Sequence, residues 1–236
     1  MQASQIITDV RRELLESNAD ASFWTDAELL RLINRAQFDY TNKTRILEDR
    51  AILSLEAGRN DYPLPSNWLS SKAVFHTETD SSGKKSIRRL VASDLEKMSH
   101  EVPNFLDVTS TDRRDRPSRY WIWGDTIYLD PPPKDVEDSD LTLFYKSKPR
   151  TLTVDTENIE VPEELAEAIN AYVLWKAWTK ENEQQRAVDQ AAIYRSYIDQ
   201  GLRYVKRKTG DRQGQIDIAS PRAFSGSSDP GFNPLV

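Results

Sequence analysis

The apolar positions of this chain change period twice, dividing it into a helical region, a strand-rich region and a second helical region. In the first, Ile7, Val10 and Leu14 recur at helical spacing and give one helix its apolar stripe. A second helix carries a full start signal. Thr25-Asp26-Ala27-Glu28 reads as a capping box, with Thr25 as N-cap and Glu28 three residues on. Trp24 before the cap and Leu29 just inside it can form the hydrophobic staple. Leu29, Leu32, Ile33, Ala36 and Tyr40 then hold one face.

Between about 46 and 154 the period shortens to β segments separated by turns. Residues 51–55 come first, followed by a Gly58-Arg59-Asn60 turn and residues 61–65. Residues 72–77 and 86–90 read as strands around a polar loop containing Gly83, and Ser93-Asp94-Leu95-Glu96 can cap a brief helix. The clearest hairpin joins 119–123 to 126–129 across Gly124-Asp125. Pro131-Pro132-Pro133 stops its second strand, and 141–145 is the last strong strand. Short connections favour an antiparallel sheet or small sandwich over a parallel sheet.

The helical period returns at Pro162, with Glu163 and Glu164 in the first turn, where carboxylates suit the helix dipole. From Leu165 to Trp178 only Glu167, Asn170 and Lys176 interrupt an apolar run. A helix apolar nearly all round must be covered nearly all round, by its own domain's core or by a neighbouring subunit. A last helix places Ala187, Ala191, Tyr194, Ile198, Leu202 and Val205 on one face and ends in Lys206-Arg207-Lys208. That basic end suits the helix dipole and solvent first, and phosphates or an acidic partner second. The expected fold is α+β: a helical bundle formed from both chain ends (1–45 and 155–209), an inserted antiparallel β domain (46–154) and an extended C-terminal tail (210–236).

The tail has no helical or strand period and is rich in Gly and Pro, yet it carries Ile216, Ile218, Phe224, Phe232, Leu235 and Val236 at irregular intervals. An extended peptide supplies side chains to pockets on a partner in this way, so these six are the candidate docking residues. A frayed terminus is the alternative.

Composition narrows the function classes. The chain has 236 residues, no cysteine, and 32 Lys plus Arg against 38 Asp plus Glu, for a net charge of -6. Disulfides, thiolate catalysis and cysteine-based zinc sites are therefore excluded. The acidic balance argues against a dedicated nucleic-acid binder and is compatible with a protein that encloses DNA without sticking to it. No apolar run is long enough to span a bilayer, and the first residues lack the apolar segment of a secretory signal, so no membrane role and a cytoplasmic setting are expected.

Candidate chemistry is sparse. The two histidines, His76 and His100, lie in different segments without metal-pair spacing, and no glycine-rich phosphate loop or nucleophile elbow is present. The acidic groups at 135–138 and 155–157 read as solvated loops. No cofactor, metal or catalytic residue is expected, and an enzyme ranks last. Asp112-Arg113-Arg114-Asp115-Arg116 is the best candidate functional loop, with Arg113, Arg114 and Arg116 as its cations. It reads as an exposed loop, a protein interface or a DNA contact, in that order. Trp121 and Trp123 share one strand face, for packing in the sandwich or against a neighbour rather than for base stacking.

The order of segments resembles the head–tail adaptor (connector) proteins of tailed bacteriophages. The resemblance rests on the helix from Phe23 to Gln37, on Asp61-Tyr62-Pro63-Leu64-Pro65, and on Pro117-Ser118-Arg119-Tyr120 followed by Ile127-Tyr128-Leu129-Asp130-Pro131-Pro132. Leu143-Phe144-Tyr145, Pro149-Arg150-Thr151-Leu152-Thr153 and the run from Val161 to Ala177 complete it, over roughly residues 20 to 180. It implies a structural virion protein assembled in the host cytoplasm. Such adaptors form a ring of copies, usually twelve-fold, beneath the portal protein. They pair a helical bundle with a β domain, meet a tail component below (a nozzle or tail terminator), and leave a channel for DNA that passes without specific binding. The alternative is another tail or neck component, such as a tail tube, nozzle or baseplate subunit, which would bind tail proteins without the portal.

Overall fold

The computed structural model describes residues 1–15, 23–79, 82–102, 104–107, 110–134 and 139–209. Within them the fold is mixed α+β, with two four-stranded sheets and five helices.

Helix α1 (Ala3–Glu13) opens the chain, and its first amides are met from far along the sequence. Ala3 N–H donates to the Glu157 carbonyl at 3.0 Å and Ser4 N–H to that of Asp155 at 2.8 Å. The segment leaving the β region thus satisfies donors that a helix N-terminus leaves open. Helix α2 (Asp26–Thr44) begins at the predicted cap. Thr25 Oγ1 accepts the Glu28 N–H at 3.2 Å, and the Glu28 carboxylate accepts the Thr25 N–H at 3.3 Å. Both staple residues, Trp24 and Leu29, are buried.

A single 3-10 turn (Glu163–Leu165) leads into helix α4 (Glu167–Lys180), so Pro162 stands before that turn rather than at the first position of the α-helix. The near-continuous apolar run is explained within the chain itself. α1, α2 and α5 (Gln184–Thr209) all pack on α4, and Ile169, Val173 and Ala177 are fully buried. One apolar cluster joins residues of α1, α2, α4 and α5. Ala187, Ala191 and Tyr194 of α5 are buried as expected, whereas Leu202 is exposed. α2 ends at Thr44, which lies against Gly201, so the last turns of α5 have less to pack on.

The first sheet runs β1 (Glu48–Ser54), β8 (Ser139–Ser147), β3 (Trp68–Thr79), β4 (Lys85–Arg89), antiparallel throughout. The second runs β2 (Asp61–Pro63), β7 (Thr126–Asp130), β6 (Arg119–Trp123), β5 (Val91–Ala92), and its β5–β6 pair is parallel. Alternation along the strands sends Val74, Leu141, Leu143 and Tyr145 of one sheet and Tyr62, Tyr120, Ile127 and Leu129 of the other into a shared cluster. A brief helix α3 (Leu95–Glu101), capped by Asp94, covers β6 from the other side.

The strap between β8 and the 3-10 turn crosses α2 under two polar side chains. The Asn34 amide donates to the Leu152 carbonyl at 2.9 Å and accepts the Leu152 N–H at 2.8 Å. Gln37 Oε1 accepts the Glu160 N–H at 2.9 Å. These bonds satisfy strap backbone groups where the strap lies against α2.

Candidate interaction surfaces

The three arginines of the 112–116 loop have different surroundings. Arg113 is turned inward: it pairs with Asp130 at 3.0 Å, and its guanidinium also donates to the carbonyls of Asn104 and Asp107. Both partners of that pair are largely buried, at 19% and 11% side-chain exposure. Arg114 lies over Gly58, where an added Cβ would stand 2.6 Å from Arg114 Cζ; Gly58 also has φ 74°, which favours glycine on its own account. Only Arg116 is well exposed, and it pairs with Glu78 at 2.8 Å. The loop folds onto the β region more than it projects from it.

The candidate docking residues Ile216, Ile218, Phe224, Phe232, Leu235 and Val236 lie outside the described residues, as does the acidic group at 135–138. Trp121 is buried, stacked on Tyr128 at 5.2 Å between centroids and met edge-on by Phe105. Trp123, at the strand end, is 63% exposed. On the outer face of the first sheet, Arg50 pairs with Phe144 and Ile52 with Thr142, and Ile52 and Phe144 are exposed. Phe75, opposite Thr142 on the other neighbour, packs its ring against Phe144 at 5.8 Å.

His76 has a buried place that its sequence position does not reveal. It faces between the sheets, with Nε2 2.8 Å from Ser139 Oγ. Burial holds its imidazole below the ordinary range, against the opposing pull of Glu78. A cleft of about 240 Å³ lies alongside, lined by Glu78, Arg116 and Lys134. Ser139 is itself buried, at 3% exposure, which keeps its hydroxyl from a substrate. His100 sits exposed in the last turn of α3. Among the described residues no group of three or more His, Asp or Glu could hold a metal ion, and no helix is long and apolar enough to cross a membrane.

Charge is unevenly arranged on the helices. Arg31 and Arg35 on α2 and Lys176 and Lys180 on α4 border one groove. The Glu28 carboxyl at its edge is held below the usual carboxylate range, first by a hydrogen bond from Lys180 at 3.0 Å and then by the Thr25 N–H. The four-residue spacing of each pair is a signal that the sequence contains, because such residues share a helix face.

The described residues thus form a mixed α+β fold with two apolar cores, and both His76 and Arg113 are held in structural contacts. The profile of the SU10 adaptor protein covers residues 1–221. The chain belongs to that family, a phage head–tail adaptor family. The match ends at Pro221, so Ile216 and Ile218 fall inside it and the other four candidate docking residues beyond it. No curated protein matches the chain.

Proposed function

We propose that the chain is a head–tail adaptor that forms a ring of copies beneath the portal protein, joins it to a tail component and leaves a channel for DNA. The observation that carries this reading is the adaptor family match over 221 residues of the chain. Its geometry supports the reading: the side chains that could have served chemistry, His76 and Arg113 among them, are enclosed in structural contacts. In this reading 1–45 and 155–209 act together as a helical bundle, 46–154 is an inserted β domain, and 210–236 is a docking tail.

Each docked copy contributes a modest affinity, and many copies in a ring raise the whole through avidity. Mixing the full chain with purified portal complexes at micromolar concentration tests the function; stable co-sedimentation is expected. No binding with the tail intact would sink the reading. Deleting residues after Thr209 is expected to abolish portal attachment while leaving folding stability within about 0.5 kcal/mol. Normal attachment without those residues would remove the docking role.

A further inference from the structure

The two flanks of α4 carry opposite charge. On the α2 side, a groove of about 360 Å³ is bordered by four cations, Arg31, Arg35, Lys176 and Lys180, against one carboxylate, Glu28. Glu28 is taken by Lys180, while Arg31 and Arg35 have no ion pair among the described residues. Lys176 lies 3.6 Å over the Trp175 ring, which orients its ammonium without neutralising it. On the α1 side, two adjoining grooves of about 440 and 230 Å³ carry the four carboxylates Asp9, Glu13, Glu163 and Glu167 against the Arg12 guanidinium, with Met1, which bears the terminal amino group, also on the lining. Arg12 sits 3.5 Å from Asp9, and Glu163 and Glu167 have no cation partner among the described residues.

The acidic side also shows an unmet acceptor. Asn170 lines it, is 7% exposed, and donates Nδ2 to Glu167 at 3.1 Å. That bond orients the amide, and its buried Oδ1 has no partner. A buried acceptor left alone is costly, and an N–H-rich cation is the kind of group that would satisfy it beside the Glu13 and Glu167 carboxylates of the same groove. Glu167 and Lys176 are nine residues apart on α4, about two and a half turns, which sets them on opposite faces.

We propose that neighbouring copies of this chain meet head to tail across α4, the acidic α1–α4 flank of one copy receiving Arg31, Arg35 and Lys176 of the next. The inference rests on the ring reading and names the surfaces that make the ring. Two unlike, complementary patches on one subunit form a heterologous contact, the kind that repeats around a closed ring. Opposite charge on the two sides also disfavours a symmetric dimer, since each patch repels its own copy.

The test uses the full chain in low salt, followed by sedimentation. Wild type is expected to self-associate at about 100 µM, a modest affinity, and to dissociate in high salt, where exposed charges are screened. R35E/K176E and E163K/E167K are each expected to weaken association at least about tenfold through like-charge contact. An equal mixture of the two is expected to associate again, because every contact then joins unlike charges. If reversal unfolds either variant, the neutral pair at the same positions, E163Q/E167Q or R35Q/K176Q, replaces it and is expected to weaken association at least about threefold.

Wild type that stays monomeric, variants that associate as wild type does, or a mixture that fails to recover would each overturn the proposal. So would loss of DNA retention by R35E/K176E with association unchanged, which would assign the basic flank to phosphates, or loss of association on chelation, which would assign the acidic flank to a metal ion. Portal binding is read separately. A chain that binds portal complexes but fails these tests loses only the proposed surfaces, and one that self-associates through them without binding portal loses only the adaptor reading.

Discussion

The strap clamp at Asn34 supports a quantitative prediction. Its amide makes both hydrogen bonds to the Leu152 backbone, 118 residues away in sequence, and Leu152 is 2% exposed. Asn34→Ala removes both bonds and leaves a buried N–H and C=O without partners. Each intramolecular hydrogen bond is worth about 1 kcal/mol net, and each orphaned buried group costs about 1–3 kcal/mol. Asn34 is itself half-buried, so water entering the space left by the side chain recovers part of that cost. The expected loss is about 2–4 kcal/mol, far above the roughly 0.5 kcal/mol typical of a surface change.

Urea titration measures the loss directly, and in calorimetry it corresponds to a fall of about 4–16 °C for a chain of this size. Arg35→Ala, one residue on and exposed, is the control and should stay within about 0.5 kcal/mol. An Asn34→Ala loss below about 1 kcal/mol would refute the reasoning. It would mean that Leu152 and Ile159 packing, with the remaining strap hydrogen bonds, holds the strap without help from Asn34.

Arg113 and Arg116 should separate cleanly: Arg113→Ala strands the mostly buried Asp130 and should cost about 3 kcal/mol, whereas Arg116→Ala should be nearly neutral in unfolding assays. Equal effects would contradict the inward placement of Arg113. Gly201→Ala would normally stabilise a helix by about 1 kcal/mol, but its Cβ would overlap the Tyr40 hydroxyl and come 2.8 Å from Thr44 Cγ2. A net loss is expected, since overpacking costs about 1–3 kcal/mol, and a raised melting temperature would refute the close approach. His76 has a folded-state pKa depressed below 6.5 by burial, so its neutral form favours the fold. That contribution is present above pH 6.5 and is lost as pH falls through the folded pKa. His76→Gln should therefore flatten the stability profile on the acid side, and an unchanged profile would assign the acid loss to other groups.

The helices were legible in the sequence because each carries a local instruction. Thr25 and Glu28 bond reciprocally as the capping box requires, and the apolar run of α4 meant burial, which α1, α2 and α5 provide. The hairpin across Gly124-Asp125 was legible for the same reason, since its register of Trp123 with Thr126 is set by two adjacent residues. What the sequence hid was long-range partnership. Nothing near Arg113 announces that Asp130 waits for it, and nothing near Asn34 points to Leu152. An arginine-rich run and a polar helix position look the same whether they face water or a buried backbone.

The charge on α4 was hidden for a different reason. Reading a helix by its apolar period sorts positions into core and not-core, and it treats Glu167, Asn170 and Lys176 alike, as interruptions. Those three residues are not equivalent once the helix is wound, because Glu167 and Asn170 turn toward α1 and Lys176 toward α2. α4 is enclosed along most of its length, and Glu167, Asn170 and Lys176 stand at its two seams with α1 and α2. Each seam is extended by the neighbouring helix, with Asp9 and Glu13 on one side and Arg31 and Arg35 on the other. A central helix covered on nearly all sides thereby gives the chain two unlike edges, and two unlike edges are what the proposed head-to-tail contact between identical copies would use.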